Sequence, residues 1–328
     1  MREENEGYLI NFDHEIIKTY KQLSGVVPYY LKFGYDINRY FLYDYHDCRM
    51  GSRDYNPLST LRKVLSPNGE NEIIQIILKA FVYSEARFIS NYIPQNSHEE
   101  RLTGHLLSEY SSSLNIIKDT IEKKAYAIYN EMIELDFFYV DLSSNNAEKL
   151  TGADFGMLIH FDLPDSPERT IVATFQAKKI ASNIKIDIKQ LNTLIKYFPE
   201  GSNYCMYDTN TPQTNSPLVI SAKNIQNSLD DKNSLMKNQN SITTINRDKL
   251  IDNYNCVPLS FIIAQTFFYP LNTNASIATF SSVWDAKNFF KEPSDTRMNR
   301  NNRIDKAIML SLRAQSNKNN EFKLSRIF

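Results

Sequence analysis

Cysteine is scarce in this sequence, and its placement points away from cysteine chemistry. Cys48, Cys205 and Cys256 are the only three, far apart and odd in number, with no C-x-x-C pair. Neither a disulfide framework nor a zinc ribbon fits that spacing. Glycine is scarce too, nine in 328 residues, and neither a G-x-x-x-x-G-K-S/T phosphate loop nor a G-x-S-x-G nucleophile elbow occurs. Net charge is only −1, so a nucleic-acid surface has to be a local patch rather than a global field. No run approaches the roughly 20 apolar residues of a membrane span. The acidic start, MREENEGYLINF, has no apolar core of the kind a signal peptide needs. The expectation is a cytoplasmic protein with no membrane association.

What is present is apolar and aromatic material, 42% and 12% of the chain, enough to exclude a disordered protein and to bury a sizeable core. Residues 1–95 read as a helical, aromatic-rich region and 96–328 as a second domain with a C-terminal extension. Ile10–Leu23 has amphipathic periodicity. Tyr29–Tyr45 is dense in tyrosine, with Phe33 and Phe41 among them, a composition that suits a core or an interface more often than base stacking. Glu70–Tyr92 reads as a long apolar helix. Ser97 opens another, with Glu100 three residues on as a capping box, and the serines at 111–113 predict a break in it. Asp136–Val140 reads as a short strand. His98 and His105 stand seven residues apart, about 10 Å of helical rise, too far for one zinc ion.

The centre of the chain is a predicted hairpin. Phe155–Phe161 is an apolar strand, 162–169 (DLPDSPER) is turn chemistry, and Thr170–Ala177 is a second strand rich in β-branched and aromatic residues. Alternation sets Val172, Thr174, Gln176 and Lys178 on one face. An acid at the start of the first strand, Asp154, then meets an amide and an amine at the end of the second. Beyond it, Ile184–Phe198 has helical apolar spacing and carries Lys185, Lys189 and Lys196 on its other side. Asn203–Asp208 and Pro217–Ser221 read as strands of the same sheet, 222–247 as a polar surface loop or insertion, and Val257–Tyr269 as an apolar helix before a basic, polar tail.

Gly152-Ala153-Asp154 followed by an apolar strand, a loop and Gln176-Ala177-Lys178 resembles the PD-(D/E)xK nuclease superfamily, in the variant with Gln in place of the second acid. The resemblance covers about residues 97–221, and the alternative is an ordinary sheet with polar ends. It implies an α/β fold, a mixed central sheet flanked by helices around a restriction-endonuclease-like core. It implies a Mg²⁺-dependent (or Mn²⁺-dependent) endonuclease that hydrolyses phosphodiester bonds, DNA first, with a role in bacterial defence against foreign DNA. Asp154, Gln176 and the Ala177 carbonyl would be metal ligands, joined by an acid of the upstream helix: Glu100 first, with Glu99 and Glu109 open. Lys178 would act on the attacking water or the phosphate. Lys179, Lys185 and Lys189 are expected to line a nucleic-acid groove. A regulatory or motor protein partner and an oligomer are compatible with such an enzyme. The rival reading keeps the fold as a nucleic-acid-binding or protein-interaction module without catalysis.

Overall fold

The computed structural model describes residues 72–141, 151–164, 168–209, 217–230, 242–247, 256–260, 262, 275–290 and 306–314. The expected elements at Ile10–Leu23 and Tyr29–Tyr45 lie outside these residues, as does most of Val257–Tyr269. Helix α1 (Glu72–Asn91) leads through a short 3-10 turn (Ile93–Gln95) into α2 (Glu99–Tyr129). Strands β1 (Ile133–Asp141), β2 (Phe155–Asp162) and β3 (Arg169–Ile180) follow. Then come β4 (Asn183–Asp187), α3 (Ile188–Tyr197), β5 (Ser202–Asp208), β6 (Leu218–Ser221), α4 (Ala222–Asp230) and β7 (Ile242–Asn246). The last are β8 (Val257–Pro258), β9 (Ala278–Phe280), α5 (Val283–Phe289) and β10 (Lys306–Ala314).

The main sheet runs β1-β10-β2-β3-β5-β6-β8. It is mixed: β2 is antiparallel to β3, β3 is parallel to β5, and β10 is parallel to β2 but antiparallel to β1. The α/β class with a mixed sheet and flanking helices is therefore as the sequence suggests. Period-two alternation makes each strand two-sided, and two cores result. One unites α1 and α2 with Phe155, Phe175, Ala177, Cys205 and Tyr207. The other unites α3, α4 and α5 with Leu158, Val172, Tyr204, Met206 and Met309. Helix α1, placed before residue 96, thus packs in the same core as the sheet. No helix among the described residues is long and apolar enough to cross a membrane.

Three expectations about helices give way. The capping box at Ser97 does not form: His98 is the N-cap, without a side-chain cap, and α2 starts at Glu99. Nor does the helix break at 111–113. Tyr110, Leu114, Ile117, Ile121 and Ala125 continue one buried stripe past the serines, and Ser113 fits beneath it as a small buried side chain. The helix expected from Ile184 begins only at Ile188. Ile184 and Ile186 are buried and Lys185 is exposed, a strand pattern, and β4 pairs with β7 in a separate two-stranded ribbon. Asp187 makes the switch, accepting from the Lys189 and Gln190 backbone N–H groups at 2.8 and 3.1 Å as the N-cap of α3.

Beside β3, β9 and β5 lie end to end. β9 pairs with Thr170–Val172, and β5 takes over from Thr174. Asn203 fastens the joint, donating to the Gly201 and Ser276 carbonyls and accepting from Ser276 N–H. The 222–247 stretch is not simply a loop, since α4 and β7 lie in it. The polar tail contains β10, which sits between β1 and β2.

Candidate active site

Strand β3 outruns its partner. β2 begins at Phe155, opposite Phe175, whereas β3 continues to Ile180 beside β5. Among the described residues, the segment from Gln176 to Lys179 therefore has a strand on one side and an open edge on the other. Asp154 stands at the head of that edge. Its N–H donates to the Phe175 carbonyl at 2.8 Å, which holds it as the last rung before β2 diverges. The turn before it is tight. Gly152 has φ of 77°, and a Cβ there would lie 2.8 Å from the Gln190 carbonyl oxygen of α3, so glycine is required by both backbone conformation and space.

Asp154 Oδ2 accepts two hydrogen bonds of 2.6 Å, from Gln176 Nε2 and from the Ala177 N–H. Gln176 is 1% exposed, and its Nε2 also reaches the Ala177 carbonyl at 3.3 Å. The amide orientation follows from the acid, because its oxygen turned toward a carboxylate would repel. Gln176 Oε1 is consequently left buried with no hydrogen-bond partner. That is an unusual state for a buried acceptor. Lys178, two residues on, places Nζ 3.7 Å from Glu99 Oε2. The other oxygen of Glu99 accepts from the Lys179 backbone N–H at 2.9 Å. The first residue of α2 is in this way clamped to the free edge of β3.

Among the three helix acids left open, only Glu99 reaches the edge. Glu100, the first choice, points elsewhere: its side chain is 87% exposed and meets Lys306 at 3.5 Å. The reason is the helix start, since one residue is a rotation of about 100° around the axis. Glu109 is committed within the helical layer, accepting from Arg87 and Tyr92. The three lysines of the expected groove do not form a stripe. Lys179 Nζ is bound to Asn96 Oδ1 at 2.6 Å and to the Asn96 and Ser97 carbonyls, so it ties the loop before α2 to the sheet. Lys185 lies on the exposed face of β4 and Lys189 in the first turn of α3. A strand now separates what a single helix would have aligned. His98 is the N-cap of α2, and His105 stacks on Tyr92 at 4.1 Å between ring centroids.

Asp154, Gln176 and the Ala177 carbonyl are gathered at the head of the edge, with Glu99 and Lys178 paired further along it. This is an all-oxygen donor set, of the kind hard divalent cations take. No group of three or more His, Cys, Asp or Glu side chains suited to an ion is present among the described residues, and the set here depends on one amide and one carbonyl. The unpartnered Gln176 Oε1 supplies a ligand atom that the protein itself does not use. For Oε1 to join Asp154 Oδ2 on one ion, the amide has to turn over, surrendering its hydrogen bond to the acid. Comparisons with protein-family models, curated proteins and solved structures give no match for this chain.

Proposed function

We propose that this protein is a divalent-cation-dependent nuclease, acting on DNA, built on a restriction-endonuclease-like core. The observation that carries the reading is the meeting of Asp154, Gln176, Lys178 and Glu99 at the one stretch of β3 that has lost its β2 partner. Two independent elements supply a carboxylate there, and a buried amide donates to one of them. An ordinary polar strand end needs none of this.

Phosphodiester hydrolysis requires an attacking water and relief of the negative charge that grows on the phosphoryl oxygens. A bound Mg²⁺ or Mn²⁺ contributes positive charge and a lowered water pKa. Asp154, Gln176 Oε1 and the Ala177 carbonyl are the oxygens that would hold it. Lys178 does its work at the edge itself. Its ammonium, steadied by Glu99, presents N–H donors to the attacking water or to a phosphoryl oxygen. Glu99 has two duties, orienting Lys178 and fixing α2 to the strand through the Lys179 N–H. Lys179, Lys185 and Lys189 are spread over β3, β4 and α3, so substrate affinity is expected to come from several surfaces rather than one stripe.

The test is incubation with supercoiled plasmid in chelator, in Mg²⁺ and in Mn²⁺, beside Lys178→Ala. Metal-dependent nicking or linearisation that the variant lacks supports the reading. A protein that binds DNA but never cleaves it under any of these conditions supports the module without catalysis.

A further inference from the structure

Strands β3 and β5 are parallel, and the register sets Gln176 beside Tyr204. Both residues face the second core, with Val172 and Met206 on the same side. Four buried side-chain polar atoms among the described residues lack a hydrogen-bond partner: His105 Nε2, Gln176 Oε1, Ser202 Oγ and Tyr204 Oη. Three of the four lie on this one face of the β3–β5 pair, and Gln176 and Tyr204 are direct register partners. Buried polar groups in folded proteins are almost always satisfied, by protein or by ordered water, so such a concentration marks a place where something polar and small belongs.

The chemistry of the two atoms is complementary. Tyr204 is fully buried, and burial together with the Asp187 and Asp154 carboxylates pushes its phenol well above the usual range. It is an O–H donor at any working pH. Gln176 Oε1 is an acceptor, fixed as such because Nε2 is held by Asp154. A water molecule set between them would accept from the first and donate to the second.

We infer that Tyr204 is a positioning residue for the candidate site: its hydroxyl and Gln176 Oε1 share a buried water, which holds the Gln176 amide in place against Asp154. The consequence for catalysis rests on the nuclease reading, whereas the structural half does not. Tyr204 touches neither substrate nor ion, being enclosed. It acts through Gln176, setting how readily that amide stays on Asp154 or turns its oxygen toward a cation.

Tyr204→Phe removes only the hydroxyl and keeps the ring packing, which makes the sign of its effect informative. A solitary unsatisfied hydroxyl is better removed, and the variant would then be as stable as the parent or more so. A hydroxyl that holds a shared water is missed, and the unfolding equilibrium constant should rise at least about fivefold. The coupling is read from a double-mutant cycle with Gln176→Met, whose partner Asp154 keeps its bond from the Ala177 N–H. The inference expects the two changes to be non-additive by about fivefold or more. Mn²⁺ binding by calorimetry is the second readout, and Tyr204→Phe should change the dissociation constant several-fold while Glu100→Gln leaves it alone. An equally stable Tyr204→Phe, or strict additivity with Gln176→Met, overturns the inference. If the parent binds no Mn²⁺ and cuts no DNA, the nuclease reading fails, and the cycle still decides the role of Tyr204.

Discussion

Replacing Gln176 by Glu sets a second carboxylate against Asp154, and its consequence can be worked out from the structure. The amide nitrogen it displaces lies 2.6 Å from Asp154 Oδ2. Gln176 is 1% exposed, so the new group has no easy route to solvent. Two unit charges at that separation repel by about 6 kcal/mol at an effective dielectric constant of about 20. Sharing a proton is the cheaper escape. Protonating a carboxyl of ordinary pKa, about 4.3, costs about 4 kcal/mol at pH 7 and about 1 kcal/mol at pH 5. The pair's folded-state pKa is thereby raised above its unfolded value, so the folded variant binds more protons than the unfolded chain above about pH 4, and its stability falls as pH rises. In chelator, Gln176→Glu should be less stable than the parent by about 4 kcal/mol at pH 7 and about 1 kcal/mol at pH 5. A divalent cation replaces the proton, and at a hundred times its dissociation constant restores about 2.7 kcal/mol. Denaturant unfolding at both pH values, with EDTA and with Mn²⁺, reads all of this. Stability equal to the parent at pH 7 in EDTA, with no response to Mn²⁺, would refute the juxtaposition of these side chains and the metal reading together.

Other expectations follow from single contacts. Glu99→Gln should cut cleavage at least tenfold by weakening the hold on Lys178, whereas Glu100→Gln, at an exposed position paired with Lys306, should leave the rate within twofold. Gly152→Ala combines a left-handed φ of 77° with a Cβ 2.8 Å from the Gln190 carbonyl oxygen. It should lower stability by about 1–3 kcal/mol in a denaturant titration. His160 is buried against Thr170, and burial holds its pKa down to about 4. It is neutral in the fold while the unfolded chain titrates near 6.5, so stability should decline between about pH 6.5 and pH 4, by roughly 3 kcal/mol from this residue. The decline should be shallower in His160→Gln, and an identical pH profile would remove His160 as its source.

How far the sequence reveals this molecule depends on which rule each segment obeys. The β2–β3 hairpin is legible because alternation, turn residues and β-branched content agree, and with it the i, i+2 pairing of Gln176 and Lys178. The segment after it is not. Ile184, Ile188 and Leu191 satisfy a helical period, but Ile184 and Ile186 also satisfy a strand period, and only Asp187 as N-cap decides where one gives way to the other. Misreading it aligned Lys185 with Lys189. Strand β10 escapes notice because AIMLSL is a short unpatterned apolar run within a polar tail, the form a strand covered on both faces takes. Glu99 and Glu100 are one residue apart, and the choice rests on where α2 starts, which the false Ser97 cap obscures. Tyr204 has a signal only in retrospect: it falls on a strand whose parallel register with β3 is a tertiary fact.

The measurement that tests the central claim most directly separates rate from affinity. Single-turnover cleavage of plasmid DNA in Mg²⁺ and in Mn²⁺ is compared with equilibrium DNA binding for the parent and Lys178→Ala. On the proposed reading Lys178 acts at the reacting phosphate, so the variant should lose cleavage by about a hundredfold or more while binding DNA within a few-fold of the parent. Cleavage by Lys178→Ala at the parental rate would contradict the account.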